Sequence, residues 1–555
     1  MKKLIIILVF VIFSEFTSPS PAQGRVKQDT PGYQTNIYFE YAKKAANWLK
    51  SLAVEEANGA YKWPTTESSD TYRTGIDTGA AGVGWFFLEL YNVTKDSEYL
   101  EYAEGAGRFL LNNHYTGGEV DWLNGAAGVG HYFIELWKTT NNPLYLDEAN
   151  RIGNWLTTQC SQENGGYFWV NFINPSKVYT SYAHGASGIG DFFARLYDVT
   201  NDLKYLNYAR GAATWLFSYM WELEPGQYCW PRLTTDNSPN TTWCGGSVGI
   251  LLFLFKLYDS TGEMVYLNHA RGGTDWLVAQ AADGGNHSYK WSYGPSSHSY
   301  PFAYCHGTPS VVHILYEMHR RTDTQQYLEF ARGGAKWLQK EAEAADDHVF
   351  TWPHIKGLPH DTGLLTGTAG VGNSFAIYYS YDSEPNNNYL EYAKGAAHWL
   401  MSAAEFPSLE KVKWINYVDP MNEDYEAKNY QTSWYKGVSG VGLFFLHLSQ
   451  TLPPPPAGNI PPVLNSIGNK TIRTGQSLTF STSGQDPDES PGPLISIAGN
   501  LPQGALFKDN NFSWTPGLDQ AGVYDVYFLV TDGWDADWEH ITINVTKFKK
   551  GKIKR

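Results

Sequence analysis

The sequence predicts a mainly α protein: an (α/α)7 toroid of seven inner and seven outer helices over residues 30–452, plus a small C-terminal β-sandwich. Two repeated phrases and one change of texture carry this. A Gly-started apolar phrase occurs seven times, as GAAGVGWFFLELY from Gly79, GAAGVGHYFIELW from Gly125, GASGIGDFFARLY from Gly185, GSVGILLFLFKLY from Gly246, GTPSVVHILYEMH from Gly307, GTAGVGNSFAIYY from Gly367 and GVSGVGLFFLHLS from Gly437. A second phrase precedes each copy, starting at Tyr38, Tyr99, Tyr145, Tyr205, Tyr266, Tyr327 and Tyr389; YLEYAKGAAHWL is the last of these. After Leu452 the helical pattern gives way to short runs rich in Val, Ile, Phe, Tyr and Thr.

Residues 1–22, MKKLIIILVFVIFSEFTSPSPA, have two lysines, an apolar run from Leu4 to Phe13 and small residues near Ala22. That layout is a secretory signal peptide, and its apolar run is too short for a spanning helix. The mature chain is therefore expected to be soluble, without a membrane span, and secreted or periplasmic.

Within each Tyr-started phrase the large apolar residues fall at helical spacing on one stripe, as Tyr389, Leu390, Ala393, Ala397 and Leu400 show. The Gly-started phrases are apolar nearly all round and are expected to be helices buried on both sides. Half-buried and fully buried helices alternating at a period near 60 residues describe a closed ring of helical hairpins. An open solenoid would need polar capping repeats, whereas the first and last copies resemble the middle ones. Between the phrases, six loops carry Trp63, Trp169, Trp230, Trp291, Trp352 and Trp414 after an aromatic or similar residue. These loops must land on the rim where the inner helices begin, and packing of a short hairpin against the barrel end is the favoured role of each indole. The second repeat lacks the piece.

Residues 453–461 open with four prolines, a stiff linker. Residues 462–546 read as strands separated by Gly, Pro and Asp turns. NLPQGALFKDNNFSWTPG and QAGVYDVYFLVTDG resemble the Ig or cadherin-like modules appended to many exported bacterial proteins. Asp486, Asp488 and Asp532 resemble the calcium-coordinating positions of such modules, with solvated turn carboxylates as the favoured reading. The tail, 547–555, holds six basic residues in nine and is expected to be disordered.

A net charge of -15 excludes nucleic acid as a partner, since no basic face can neutralise phosphates. The 15% aromatic content, with 21 Trp, leaves glycan binding open. Four cysteines in an exported chain allow two disulfides. Cys160 and Cys229 lie outside any motif and read as a disulfide or as buried thiols.

Cys244 and Cys305 each lie two residues before a phrase-starting glycine, and His184 and His306 lie one residue before theirs. Matching positions of adjacent inner helices meet, so Cys244, Cys305 and His306 are brought to one rim. Two thiolates and an imidazole suit Zn2+, with a fourth position left for water or substrate as in a catalytic site. Each lies at a helix start, where the positive end of the macrodipole favours an anionic sulfur. A Cys244–Cys305 disulfide is the alternative that the same proximity allows, but it gives His306 no role.

The seven Gly starts, six of them GxxG, with Trp243-Cys244-Gly245 and Cys305-His306-Gly307, resemble the lanthionine synthetase C-like (LanC-like) family of cyclases across nearly the whole helical domain. The resemblance implies an α,α-toroid with zinc held by Cys244, Cys305 and His306. It also implies that His184 matches the family's active-site histidine and Asp121 its acidic residue. Family cyclases add a peptide cysteine to a dehydrated Ser or Thr, making a thioether, so a peptide or small-molecule thiol is the implied substrate. The chain departs from the pattern where family cyclases often carry Arg, here Asn240; where Ser310 replaces the second Gly of a start; and in lacking an inserted peptide-binding subdomain. Lantibiotic cyclisation is cytoplasmic, whereas this chain carries an export signal. Two competing readings are therefore carried forward. One is a carbohydrate-active or glycan-binding toroid using two of Asp77, Asp121 and Asp361; the other is a non-catalytic zinc-containing scaffold.

Overall fold

A computed structural model of the chain describes residues 36–113, 119–170, 176–418, 430–488 and 494–547. The predicted leader and nearly all of the basic tail lie outside the described residues. The outer helices are α1 (Ile37–Leu52), α3 (Ser97–Asn113), α5 (Pro143–Gln159), α7 (Leu203–Ser218), α9 (Met264–Ala279), α11 (Gln325–Lys340) and α13 (Tyr389–Ser402). The inner helices are α2 (Ala80–Thr94), α4 (Ala126–Thr140), α6 (Ala186–Thr200), α8 (Ser247–Thr261), α10 (Thr308–Thr322), α12 (Thr368–Tyr381) and α14 (Val438–Thr451). Each outer helix from α3 to α13 packs most closely on the inner helix that precedes it in the chain, and the first outer helix, α1, packs on the last inner helix, α14, which also packs on α2, closing the ring.

The repeated glycines permit this closeness. A Cβ on Gly82, Gly128, Gly188, Gly370 or Gly440 would lie about 2 Å from a backbone carbonyl, for example 1.9 Å from that of Trp122 at Gly128. The chain therefore folds back so tightly before each inner helix that only hydrogen fits. At Ser310 the turn relaxes instead, and the serine hydroxyl donates to the Gly307 carbonyl at 3.1 Å.

Six repeats place a two-stranded antiparallel hairpin between outer and inner helix: β1–β2 (Val54–Glu56, Ala60–Lys62), β3–β4 (Cys160–Glu163, Gly166–Trp169), β5–β6 (Trp221–Glu224, Gln227–Cys229), β7–β8 (Ala282–Asp283, Tyr289–Lys290), β9–β10 (Glu343–Asp346, Val349–Thr351) and β12–β13 (Glu405–Ser408, Lys411–Lys413). The six tryptophans after these strands are buried. Their indole N–H groups donate to the carbonyls of Leu49, Leu156, Leu216, Leu277, Leu338 and Leu400 in the last turns of the outer helices. Each gives a donor to a helix-end carbonyl; those of Leu216 and Leu277 also accept the backbone N–H groups of Tyr219 and Gln280.

The inner helices are less apolar than their sequence suggested. His131, Glu135, Asp191, Arg195, His313, Glu317 and Asn373 are buried on them, because the third face of an inner helix borders the ring's centre. These groups are paired there: Arg195 Nε with Asp191 at 2.7 Å, the Trp122 indole N–H with His131 Nδ1 at 3.2 Å, and the Tyr304 hydroxyl with His313 Nδ1 at 2.9 Å. Burial lowers the pKa of both His131 and His313 to about 4, so they stay neutral.

The C-terminal region forms a four-stranded sheet, β16 (Lys470–Arg473), β23 (Ala536–Thr546), β22 (Gly522–Thr531) and β19 (Ile495–Gly499), facing a three-stranded one, β17 (Leu478–Ser481), β21 (Asn511–Trp514) and β20 (Leu506–Lys508). Phe512, Trp514, Phe528, Val530, Ile541 and Ile543 are its core. The sandwich docks on the toroid: the Ile37 N–H donates to the Trp534 carbonyl at 2.9 Å, and the Phe406 and Tyr527 rings lie 4.5 Å apart. Asp488 and Asp532 are engaged by backbone N–H groups, those of Ile460 and of Trp534 and Asp535 respectively.

Candidate metal centre at the toroid mouth

The residues two positions before each inner-helix glycine, Asp77, Leu123, Ala183, Cys244, Cys305, Leu365 and Tyr435, form a girdle of backbone hydrogen bonds. The Asp77 N–H donates to the Leu123 carbonyl (2.9 Å), Leu123 to Ala183 (3.0 Å), Cys244 to Cys305 (3.2 Å), Cys305 to Leu365 (3.0 Å), Leu365 to Tyr435 (3.0 Å) and Tyr435 to Asp77 (3.4 Å). Among the described residues, the link from Ala183 to Cys244 is the one missing from this circle. The girdle places each repeat's side chains at fixed stations around one opening. Thr78, Asn124, His184, Gly245, His306, Thr366 and Lys436 occupy the next stations.

Cys244, Cys305 and His306 converge, their Sγ and ring-nitrogen atoms lying within 4.8 Å of one another. Cys305 Sγ and His306 Nδ1 are 2.9 Å apart. All four cysteines are free thiols; Cys229 is buried, and Cys160 Sγ donates to the Thr157 carbonyl at 3.2 Å. A tetrahedral zinc ion with bonds near 2.3 Å to sulfur and 2.0 Å to nitrogen needs donor atoms roughly 3.5–3.8 Å apart. Two sulfurs and an imidazole already this close fit that ion after small side-chain rotations. Cys305 is fully buried, while Cys244 and His306 reach solvent. The Cys305 thiol as hydrogen-bond donor, and beside it His306, hold Cys244 well below the ordinary thiol value. Burial and the Cys244 sulfur push Cys305 up.

Across the missing link stands His184, whose Nδ1 lies 3.1 Å from Asp121 Oδ2. Burial alone would lower the His184 pKa, but the hydrogen bond and charge of Asp121 outweigh it and the net shift is upward. Asp121 is itself fixed, its Oδ1 accepting the Asn124 N–H at 2.7 Å. With Nδ1 turned to the carboxylate, Nε2 is left for the opening.

Several functional neighbours carry no motif. Asp77 faces the mouth with a carboxyl pushed up to about 6 by burial, against the charges of Lys436, His184 and Arg73. The Tyr435 hydroxyl donates to Cys305 Sγ at 3.2 Å. His354 lies with its ring 5.5 Å from that of His306, near the Tyr293 hydroxyl at 3.4 Å; burial and His306 lower its pKa to about 4. Asp361 faces inward: it is fully buried and its Oδ1 accepts the Gly363 N–H at 2.7 Å, so it supports a turn. Asn240 does the same, its Oδ1 accepting the Thr242 N–H at 2.9 Å. A guanidinium nevertheless flanks the site from Arg232, which stacks on Tyr179 at 5.6 Å.

Known proteins were compared with this arrangement. Among solved structures, a nisin cyclase aligns at 16% identity over 58% of this chain and 81% of its own, with a TM-score of 0.42. A cellobiose 2-epimerase from Bacillus thermoamylovorans B4167 aligns at 12% identity over 75% and 99%, TM-score 0.47. An alpha-1,6-mannanase from Salegentibacter sp. HEL1_6 aligns at 14% over 55% and 87%, TM-score 0.38. No curated protein matches the chain by sequence. An Ig-domain family matches residues 461–546, and the family described as "Lanthionine synthetase C-like protein" matches residues 40–386. That match takes in the seven-station girdle as far as its sixth repeat, with Asp121, His184, Cys244, Cys305 and His306 inside it, and the chain belongs to the lanthionine synthetase C-like family.

Proposed function

We propose that this chain is an exported zinc protein that activates a thiol for addition to an electrophilic alkene, forming a thioether on a peptide or small molecule. The observation that carries the reading is the convergence of Cys244, Cys305 and His306 at a mouth shared with the His184–Asp121 pair. Zinc at this site would supply Lewis acidity, lowering the pKa of a thiol presented at its open position. Cys244, Cys305 and His306 would hold it. In the addition the C–S bond forms at the alkene's β-carbon, its π pair moves to the adjacent carbonyl, and the thiol proton passes to solvent water, from which His184 regains the proton it gives up in each turnover. His184, charged through Asp121, then delivers a proton from Nε2 to the α-carbon, and Arg232 adds positive potential beside it. The girdle fixes these groups before substrate arrives, so little reorganisation is needed.

Elemental analysis of the folded exported protein is expected to give one zinc per chain, and little in Cys305→Ala. Equal metal in both ends the assignment. N-terminal sequencing of exported material tests cleavage of the 1–22 leader. Bound zinc without His184-dependent consumption of any thiol would instead mark a scaffold. A carbohydrate-active reading draws on the raised carboxyl of Asp77 at the mouth; oligosaccharide binding that survives zinc removal would favour it.

A further inference from the structure

Tyr435 stands at the same station of its repeat as the two cysteines, but in the last repeat, beyond the residues the family match covers. Its hydroxyl reaches across the opening to donate to Cys305 Sγ at 3.2 Å. Its carbonyl accepts the Leu365 N–H (3.0 Å), while the Leu365 carbonyl accepts the Cys305 N–H (3.0 Å). The girdle itself therefore sets the reach from Tyr435 to the sulfur. Cys305 Sγ is thus approached by three groups, this hydroxyl, the His306 ring nitrogen and the Cys244 sulfur. Among the described residues no protein hydroxyl donates to Cys244 in the same way.

We propose that Tyr435 is a positioning residue that quenches one of the centre's own thiolates. This rests on the zinc reading above. A site that makes a substrate thiol nucleophilic risks doing the same to its ligands, because a metal-held thiolate keeps lone pairs. A hydrogen bond to one of those pairs withdraws electron density from sulfur. Donation from Tyr435 makes Cys305 the inert ligand, so that the incoming thiol is the stronger nucleophile. It also protects a sulfur that an oxidising compartment would attack. The ring-closing repeat, which supplies no ligand, thereby decides which sulfur reacts.

The test loads wild-type chain and Tyr435→Phe with Co2+ and follows the sulfur-to-metal charge-transfer band. Phenylalanine keeps the ring and the backbone bond to Leu365, so the girdle persists; matching thermal unfolding curves verify this. Loss of the donor is expected to move the band to longer wavelength. An unchanged band at full loading overturns the role of Tyr435 while leaving the zinc reading intact. A wild-type chain that takes up no Co2+ overturns both.

Discussion

The His184–Asp121 pair sets two opposing forces against each other within one ring. Burial disfavours the imidazolium, and the carboxylate 3.1 Å away favours it; the carboxylate prevails. Because the folded-state pKa lies above the unfolded one, this pair stabilises the fold fully below the ordinary histidine value, and the contribution fades as pH rises through the folded pKa. Asp121→Asn removes the main opposition to burial and leaves only the Cys244 sulfur favouring the charged ring. The His184 pKa should then fall below its ordinary value, and the pH dependence of stability should reverse in that window; NMR titration of the His184 ring reads the shift. A persistently raised pKa in Asp121→Asn would assign the effect to another group. Asp77 offers the opposite case. Its carboxyl is pushed to about 6, so the folded chain holds its proton more tightly than the unfolded chain does, and stability falls as pH rises between about 4 and 6. Asp77→Asn should therefore unfold at higher denaturant than wild type at pH 8, by on the order of 1–2 kcal/mol after allowing for solvent screening, with the gap closing near pH 3. Such a gain would mark strain kept at a functional mouth. Cys244, Cys305, His184 and His306 were legible because they combine repeat phase with an unmistakable chemistry. Tyr435 shares that phase, and lining up the station two before each glycine would have found it, but Tyr is an ordinary residue on a rim; Asp77 was visible only as one of three candidate carboxylates of the glycan reading. His354 comes from an irregular loop with no phase, so only coordinates place it beside His306.

At the scale of the elements, the GxxG start is a steric device. Gly128 shows why: its absent Cβ would sit 1.9 Å from the Trp122 carbonyl and 2.9 Å from Ile76 Cγ1. Helix propensity alone would make Gly128→Ala stabilising by up to about 1 kcal/mol. Steric overlap with backbone cannot relax by rotamer change, so the substitution should cost about 1–3 kcal/mol instead, and it should disturb Leu123, whose N–H and carbonyl both belong to the girdle. Urea unfolding decides between the two signs. Both helix phrases were legible from periodicity because the whole stripe pattern repeats. The buried polar positions of the inner helices were not, since a single His131 or Asp191 in a long apolar phrase is invisible until a ring gives that phrase a third face.

At the scale of the molecule, the likeness of first and last repeats lets the ring close, and the cost of closure falls on the seam between α1 and α14. Asn36 serves that seam with both ends of its amide. Oδ1 caps α1 by accepting the Phe39 N–H at 3.0 Å, and Nδ2 donates to the Ser449 carbonyl of α14 at 3.0 Å. The residue is buried, so neither partner can turn to bulk water when it is removed. Two variants separate the two jobs. Asn36→Ser can keep the cap and loses only the bridge, about 1 kcal/mol; Asn36→Ala loses both, about 2–3 kcal/mol. The spatial readout is hydrogen exchange. In a closed ring a weakened seam lets α1 and α14 open first, and the girdle bonds of Tyr435 with Leu365 and Asp77 follow, because they hang from the residues just before α14. Protection of α7 and α8, halfway round, should stay at the wild-type level. Exchange that rises equally in all repeats would mean that the toroid unfolds as one unit and that the seam holds no special place. Exchange in α1 and α14 already high in wild type would describe an open solenoid with fraying ends.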